Sequence, residues 1–348
     1  TTTPEHKFLV VTHEGFEWKP AADLDDGDRI ARPLRAPLPE ADTELDWVAE
    51  MEADRTFVHL DESFANQHDI PIEADHVGQK KEIIRALRVE QTVEAAAESV
   101  DASRKRVQAV NRQMDGVDLD SGSQVCSVSH LRSLGVSGEE IERNVEAIQR
   151  VAPVNNARSP PIRPPSELSP DLAAFVGLAI SEARLEDGRI KFYNTDEELL
   201  RRFESGAQSL FGVEPTRGTQ NDVPYVEINN GTLVAYLESC FDLFAGALSD
   251  AEQGPISSKI LRGDADSRRA FLRAVFDAEA HVTPQGIVEL TQKDGDLITA
   301  LSYLLSGFGV ASRRKRVDKA PTNGTETERE YHTLFISGSE HLNRFQKE

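Results

Sequence analysis

Displacing the chain by 97 positions superposes Glu182 on Glu279, Ile190 on Ile287, Leu200 on Leu297, and Phe211-Gly212-Val213 on Phe308-Gly309-Val310. Matches that keep one offset mean a duplicated unit. Duplication restricts the fold more than any local propensity does, because both copies must take the same secondary structure. Further on, the alternating YVEINNG (225–231) resembles LFISGSE (334–340) at an offset of about 108, which places an insertion in the connecting loop of the second copy, around Lys319–Thr327.

Each copy reads as an apolar helix ending in glutamate, an alternating strand pair, a helix ending at Phe-Gly-Val, a second hairpin and another helix. RIKFYN and DEELLRRFESGAQSLFG are the strand and helix of the first copy; GIVELTQ and DLITALSYLLSGFG are those of the second. The glycine after each helix is the expected stop. The two units, near residues 171–250 and 268–348, are expected to fold as halves related by a pseudo-twofold axis, in an α+β arrangement and not a doubly wound sheet.

The glutamates need a reason. FVGLAISEAR holds Glu182 between Ser181 and Ala183, and FLRAVFDAEAHV holds Glu279 between two alanines. A solvated helix end is the plain reading, and it leaves the recurrence unexplained.

FVGLAISEA and LRAVFDAEA resemble the two LAGLIDADG motifs of homing endonucleases, and the αββαββα order and Phe-Gly-Val ends agree with that family. The resemblance covers residues 171–348, about half of the chain. It implies two motif helices packed together at the domain centre and paired sheets forming a saddle over double-stranded DNA, at a long asymmetric recognition site. It also implies that Glu182 and Glu279 hold Mg²⁺ beside the two scissile phosphates, one per strand. Hydrolysis of a phosphodiester anion develops a second negative charge on the phosphorus oxygens, which a divalent ion neutralises while helping to generate hydroxide from water. Carboxylate oxygens suit such a hard cation. The usual Asp-Gly motif end is replaced by Glu-Ala at 182–183 and 279–280. Glutamate still ligates, but its extra methylene shifts the ligand, and alanine lacks the freedom of glycine to take φ > 0.

The family also uses a basic residue near each metal, and Lys259 in GPISSKILR is the counterpart this implies; a surface lysine is the alternative. Arg313, Arg314, Lys315 and Arg316 make the densest basic cluster and are expected on a strand facing phosphates or base edges, with Arg189 and Lys191 on the comparable strand of the first copy. A solvated hairpin is the competing reading.

The formal charge of -21 argues at first against a nucleic-acid partner. Its texture has another source: 28 Arg against 11 Lys, with 60 acidic residues spread along the whole length. That pattern resembles proteins adapted to a salt-filled cytoplasm, as in halophilic archaea, and leaves room for a local basic patch; an ordinary acidic soluble protein is the alternative. No apolar run approaches 18 residues and no signal peptide is visible, so the expectation is a cytoplasmic chain with no membrane partner. Cys126 and Cys240 lack metal-ligand spacing and are read as free thiols. A monomer is expected.

TPEHKFLVVTHEGFEWKPAADLDDGDRIARP has a second resemblance, to the later half of the N-terminal splicing region of an intein, an all-β Hint domain. Thr3 and His6 match the Thr-x-x-His that polarises and protonates the scissile amide, whose nitrogen must become a leaving group. A threonine and histidine at a strand start are the plain reading. The implied partner is a host protein (extein) in cis. The splicing nucleophile and the terminal Asn are expected outside residues 1–348, so these residues alone should not splice.

The domain reading is therefore 1–60 partial Hint domain, 61–152 small helical insert, 153–170 Pro-rich stiff linker, and 171–348 endonuclease domain. Within the insert, KKEIIRALRVEQTVEAAAESVDASRKRVQAVNRQ reads as two helices around a turn at Val100–Ser103, with eight basic and five acidic residues from Lys80 to Gln113. That favours a helix-turn-helix with Arg104, Lys105 and Arg106 toward DNA, against a helical spacer. Two functions follow: an intein-borne, Mg²⁺-dependent endonuclease making a site-specific double-strand break, or a catalytically lapsed DNA-binding protein or regulator on the same scaffold.

Overall fold

The computed structural model describes residues 2–13, 15–31, 35–60, 63–64, 83, 86–87, 89–90, 92–111, 124–151, 158–186, 188–243, 256–319 and 329–347. They form two compact units, residues 1–40 with 279–348, and residues 41–278.

In the first unit, β1 (Lys7–Thr12) lies between β2 (Gly15–Pro20) and β3 (Arg29–Ile30), antiparallel to both. Alternation sends Val10 to a buried face, while Leu9 and Val11 pair across with Trp18 and Phe16, which are 65% and 69% exposed.

In the second unit, α1 (Trp47–Glu50), capped by Asp46, precedes β4 (Thr56–Leu60). Next come α2 (Val93–Ser99), α3 (Arg104–Asn111), β5 (Gln124–Ser127), α4 (Val128–Ser133), α5 (Gly138–Arg143) and β6 (Val145–Arg150). β4 is the centre of an antiparallel sheet with β5 and β6. Residues 61–152 are therefore more than a helical insert: β5 and β6 satisfy the backbone of β4, which lets Val58 and Leu60 be fully buried. The long first helix expected through this segment also starts afresh at Thr92, whose hydroxyl accepts the Ala95 N–H (3.1 Å); much of KKEIIRALRVEQ lies outside the described residues.

The Pro-rich stretch departs from a linker too. Its described part, residues 158–170, is packed, with Ile162 and Leu168 1% and 2% exposed. Proline offers only its carbonyl. Two buried side chains use those carbonyls: Thr232 Oγ1 donates to Pro160 O (2.9 Å) and the Tyr236 hydroxyl to Pro165 O (2.8 Å).

Both repeats take the αββαββα order. The first runs α6 (Pro170–Glu182), β7 (Ala183–Glu186), β8 (Arg189–Tyr193), α7 (Glu197–Phe211), β9 (Thr216–Gln220), β10 (Val223–Ile228) and α8 (Gly231–Phe241). After α9 (Ser258–Arg262), the second runs α10 (Ala265–Glu279), β11 (Ala280–Val282), β12 (Val288–Gln292), α11 (Gly295–Gly307), β13 (Arg313–Lys319), β14 (Arg329–Ile336) and α12 (Ser339–Lys347). The strand orders β7-β8-β10-β9 and β11-β12-β14-β13 are the same order.

Phe-Gly-Val proves to be a helix stop. The chain turns through Gly212 (φ 68°) and Gly309 (φ 76°), and Val213 and Val310 donate back to Ala207 and Leu305. Only glycine takes that conformation without strain, and the flanking Phe and Val anchor the turn in the core. Between β8 and α6, Phe203 of α7 stacks on Phe192 (4.5 Å) and Phe175 (4.7 Å). In the first unit, α11 is strapped by residues 36–38: Ala36 N–H donates to Ser306 O (3.0 Å) and the Tyr303 hydroxyl to Pro37 O (2.6 Å). Among the described residues no helix is long and apolar enough to cross a membrane.

Candidate metal site and nucleic-acid interface

Each of the two motif helices begins at a side-chain cap. Ser169 accepts the Leu172 N–H (3.2 Å) with Pro170 at the first helical position, and Asp264 accepts the Ser267 N–H (2.7 Å), which holds the Asp264 carboxyl below its ordinary range. Ser267 Oγ then donates to Leu168 O (3.1 Å), joining the N-terminal ends of α6 and α10. Further along, Gly177 of α6 lies against α10 so closely that a Cβ there would sit 2.8 Å from Phe271 O and 2.9 Å from Ala274 Cβ. The helices therefore run in the same direction and are closest at Gly177 and Ala274, which are equivalent under the 97-residue offset. From each, five residues lead to the glutamate that ends its helix, Glu182 or Glu279.

Glu182 is half-buried, and burial pushes its carboxyl up from the ordinary range, with Arg184 acting in the opposite sense. Glu279 is half-buried as well. The next residue settles the meaning of the Glu-Ala ends: Ala183 has φ -85° and ψ 146° and enters β7 directly, and Ala280 opens β11 without a positive φ. Neither position needs glycine. The remaining acid in the last turn of α10, Asp277, is taken by Arg202 (2.7 Å).

The face of the first sheet turned away from α6 and α7 carries Arg184, Glu186, Arg189, Lys191, Tyr193, Tyr225 and Glu227, since Ile190, Phe192, Val226 and Ile228 are buried on the other. Two of its cations are already matched. Arg189 pairs with Glu227 (3.2 Å), and Lys191 with Glu186 (3.2 Å) while lying 5.0 Å above the Tyr225 ring. The bond to Lys191 holds the Glu186 carboxyl low, and the same bond raises Lys191. The Tyr193 hydroxyl donates toward Glu186 and Gln220. Sequence reasoning singles out none of Arg184, Tyr193 and Tyr225, although their alternation with buried neighbours was the available signal.

RRKR divides between two faces, a correction to the expectation that all four face nucleic acid. Successive strand side chains alternate. Arg314 and Arg316 sit opposite buried Leu334 and partly exposed His332 and bond to Thr299 and Glu330, whereas Arg313 and Lys315 share the outer face with Phe335 and Thr333. Lys259 lies in α9, before α10 begins, and pairs with Glu50 (3.6 Å).

Thr3 and His6 are exposed and share a turn, with His6 N–H donating to Thr3 O (3.1 Å) and the His6 ring set edge-on to Phe8. Arg104 pairs with Glu94 (2.6 Å), Lys105 is exposed, and the Arg106 side chain lies outside the described residues. Among the described residues no three His, Cys, Asp or Glu side chains converge on one point. The donor set fits a hard divalent ion that takes one or two carboxylates, keeps its waters and accepts substrate phosphate oxygens, and such an ion would relieve the burial penalty on Glu182.

Residues 266–348 match the LAGLIDADG-like domain family. The chain is 24% identical over 237 residues to an A-type ATP synthase component of Pyrococcus abyssi, covering 67% of this chain and 21% of that protein. It is 29% identical over 185 residues to the replication factor C small subunit of Methanocaldococcus jannaschii (52% and 9%), and 25% identical over 324 residues to a different A-type ATP synthase component, from Methanopyrus kandleri (91% and 28%). The matched stretch is thus a minor share of each relative. Among solved structures, the homing endonuclease I-DmoI aligns with a TM-score of 0.38 at 15% identity, over 51% of this chain and 94% of that one.

Proposed function

We propose that this chain is the DNA-cleaving portion of an archaeal intein, a LAGLIDADG endonuclease that makes a site-specific double-strand break and is joined to splicing-domain residues near Thr3 and His6. One observation carries the nuclease reading: the glutamate-ended helices run in the same direction and meet at repeat-equivalent Gly177 and Ala274, five residues before the glutamate that ends each of them. A duplex offers two scissile phosphates with matching symmetry. Glu182 and Glu279 would hold Mg²⁺, which when bound neutralises charge on the phosphate and helps to supply hydroxide. Arg184, Arg189, Lys191, Arg313 and Lys315 sit on outward sheet faces, where phosphates and base edges can take them and can replace the carboxylates that now pair with Arg189 and Lys191.

The intein context has separate support. A stretch shared by an ATP synthase component and a replication factor, and minor in each, does not owe its presence to either named activity. A segment that inserts into unrelated hosts and splices out accounts for that distribution, and the Methanopyrus kandleri match extends over 91% of the chain. The host protein is then a partner in cis, and the compartment is the cytoplasm.

The test is incubation of a plasmid carrying the uninterrupted host gene with the chain and Mg²⁺. Linear product that disappears in Glu182→Gln plus Glu279→Gln supports the reading. Binding without cleavage by the unaltered protein would favour the lapsed DNA-binding alternative, for which the Glu-Ala motif ends are the one observation.

A further inference from the structure

Residues 92–111 fold around a small apolar cluster that they share with Ile83, Ala86 and Leu87. Thr92 caps α2, and α3 follows after only Val100–Ser103. The reversal is made by Asp101, one of the few non-glycine residues at positive φ (49°) among the described residues. Ala102 N–H donates to Ala97 O (3.0 Å) and Asp101 N–H to Glu98 O (3.5 Å), a helix stop from which the chain leads into the next helix. Ala96, Ala97 and Val107 are buried with Ile83 in a separate cluster, against which Leu87, Val93, Val100 and Ala102 pack. Small residues on α2 let α3 approach closely, and the cluster leaves the start of α3 outside it.

That exposed start reads Arg104, Lys105. α3 contains no acidic residue in a chain with a formal charge of -21. Helix stability does not explain these cations, because positive charge in a first turn opposes the helix dipole. Arg104 pairs with Glu94, and both are more than half exposed, so the pair contributes little and can be exchanged. A polyanion does explain them. Two short helices joined by a tight turn, the second presenting a basic face beginning at its first residues, have the geometry of a helix that enters a major groove.

We propose that α2 and α3 form a second DNA-contacting module, with Arg104 and Lys105 on the phosphates and base edges of duplex flanking the cleavage site. It rests on the proposed function, in which duplex DNA is the substrate. The module contacts DNA without taking part in cleavage, so its loss shortens the footprint while the cut position stays.

The full chain bearing Glu182→Gln and Glu279→Gln, which is expected to bind without cutting, is titrated with a labelled duplex of about 60 base pairs spanning the joined host gene, at several salt concentrations, and footprinted. Adding Arg104→Ala and Lys105→Ala is expected to weaken binding roughly tenfold or more, lower the salt slope by about two, and lose protection at one end. Arg104→Lys with Lys105→Arg keeps the salt slope and serves as the charge-retaining control. Unchanged affinity, slope and footprint in the alanine variant, with unchanged helical circular dichroism, overturns the proposal, as does an equal loss in the charge-retaining pair. If the unaltered chain does not cut yet its binding depends on Arg104 and Lys105, the nuclease reading fails and this one stands.

Discussion

Gly177 and Ala274 meet face to face: a Cβ on Gly177 would lie 2.9 Å from the Ala274 Cβ and 2.8 Å from the carbonyl oxygen of Phe271. Contact between repeat-equivalent positions is what a twofold asks of residues on its axis.

Gly177→Ala is therefore expected to force the motif helices apart, at a cost of about 1–3 kcal/mol, because one of the clashing atoms is backbone and cannot rotate away. Thermal melting should show a fall of several degrees. Ala274→Gly added to it removes the methyl contact but not the carbonyl clash, so partial recovery is expected. Strict additivity in that double-mutant cycle would contradict the packing described.

Thr232 is fully buried and its hydroxyl serves two backbone groups, accepting the Arg150 N–H (2.9 Å) and donating to Pro160 O (2.9 Å). Thr232→Val preserves shape and strands both. Denaturant unfolding should register a loss of about 1–3 kcal/mol; a neutral result would mean that the Pro-rich stretch is not held this way.

Burial raises the Glu182 carboxyl, so the fold favours its neutral form. The folded protein then binds more protons than the unfolded chain between the ordinary carboxylate pKa and the raised one, and stability falls as pH rises through that window. Glu182→Gln is expected to raise Tm at about pH 7 in metal-free buffer and to change it little at about pH 3. Excess Mg²⁺ should narrow the neutral-pH gap by stabilising the unaltered protein alone. A variant that melts no higher at neutral pH removes the case for a burial-strained acid.

The two faces of β13 separate binding from stability. Arg313→Ala with Lys315→Ala should weaken duplex binding and flatten its salt slope by about two, while Arg314→Ala, which loses the Thr299 contact, leaves the slope unchanged. Equal effects on the slope would mean the strand is not presented as described.

The duplicated half was legible because its signals were local and repeated. Glu182 and Glu279 mark helix ends, and Gly212 and Gly309 mark positive-φ stops, in both copies. Partnership across the chain was not legible: nothing in TFVHL names β5 and β6 as its neighbours, and Pro160 and Pro165 look like spacer until Thr232 and Tyr236 are seen to use their carbonyls. RRKR misled because four adjacent charges read as one patch, whereas a strand splits them by parity.

The pairing of the two acids can be measured without knowing the DNA target. Cys126 and Cys240 are buried, and burial pushes the Cys240 thiol up to about 12, so spin labels will go to cysteines introduced as Glu182→Cys and Glu279→Cys. With five residues of helix beyond the Gly177 contact on each side, pulsed dipolar spectroscopy should give one narrow distance distribution centred below about 25 Å. A distribution centred beyond about 40 Å would place the glutamates too far apart to serve one duplex and would contradict the two-acid account.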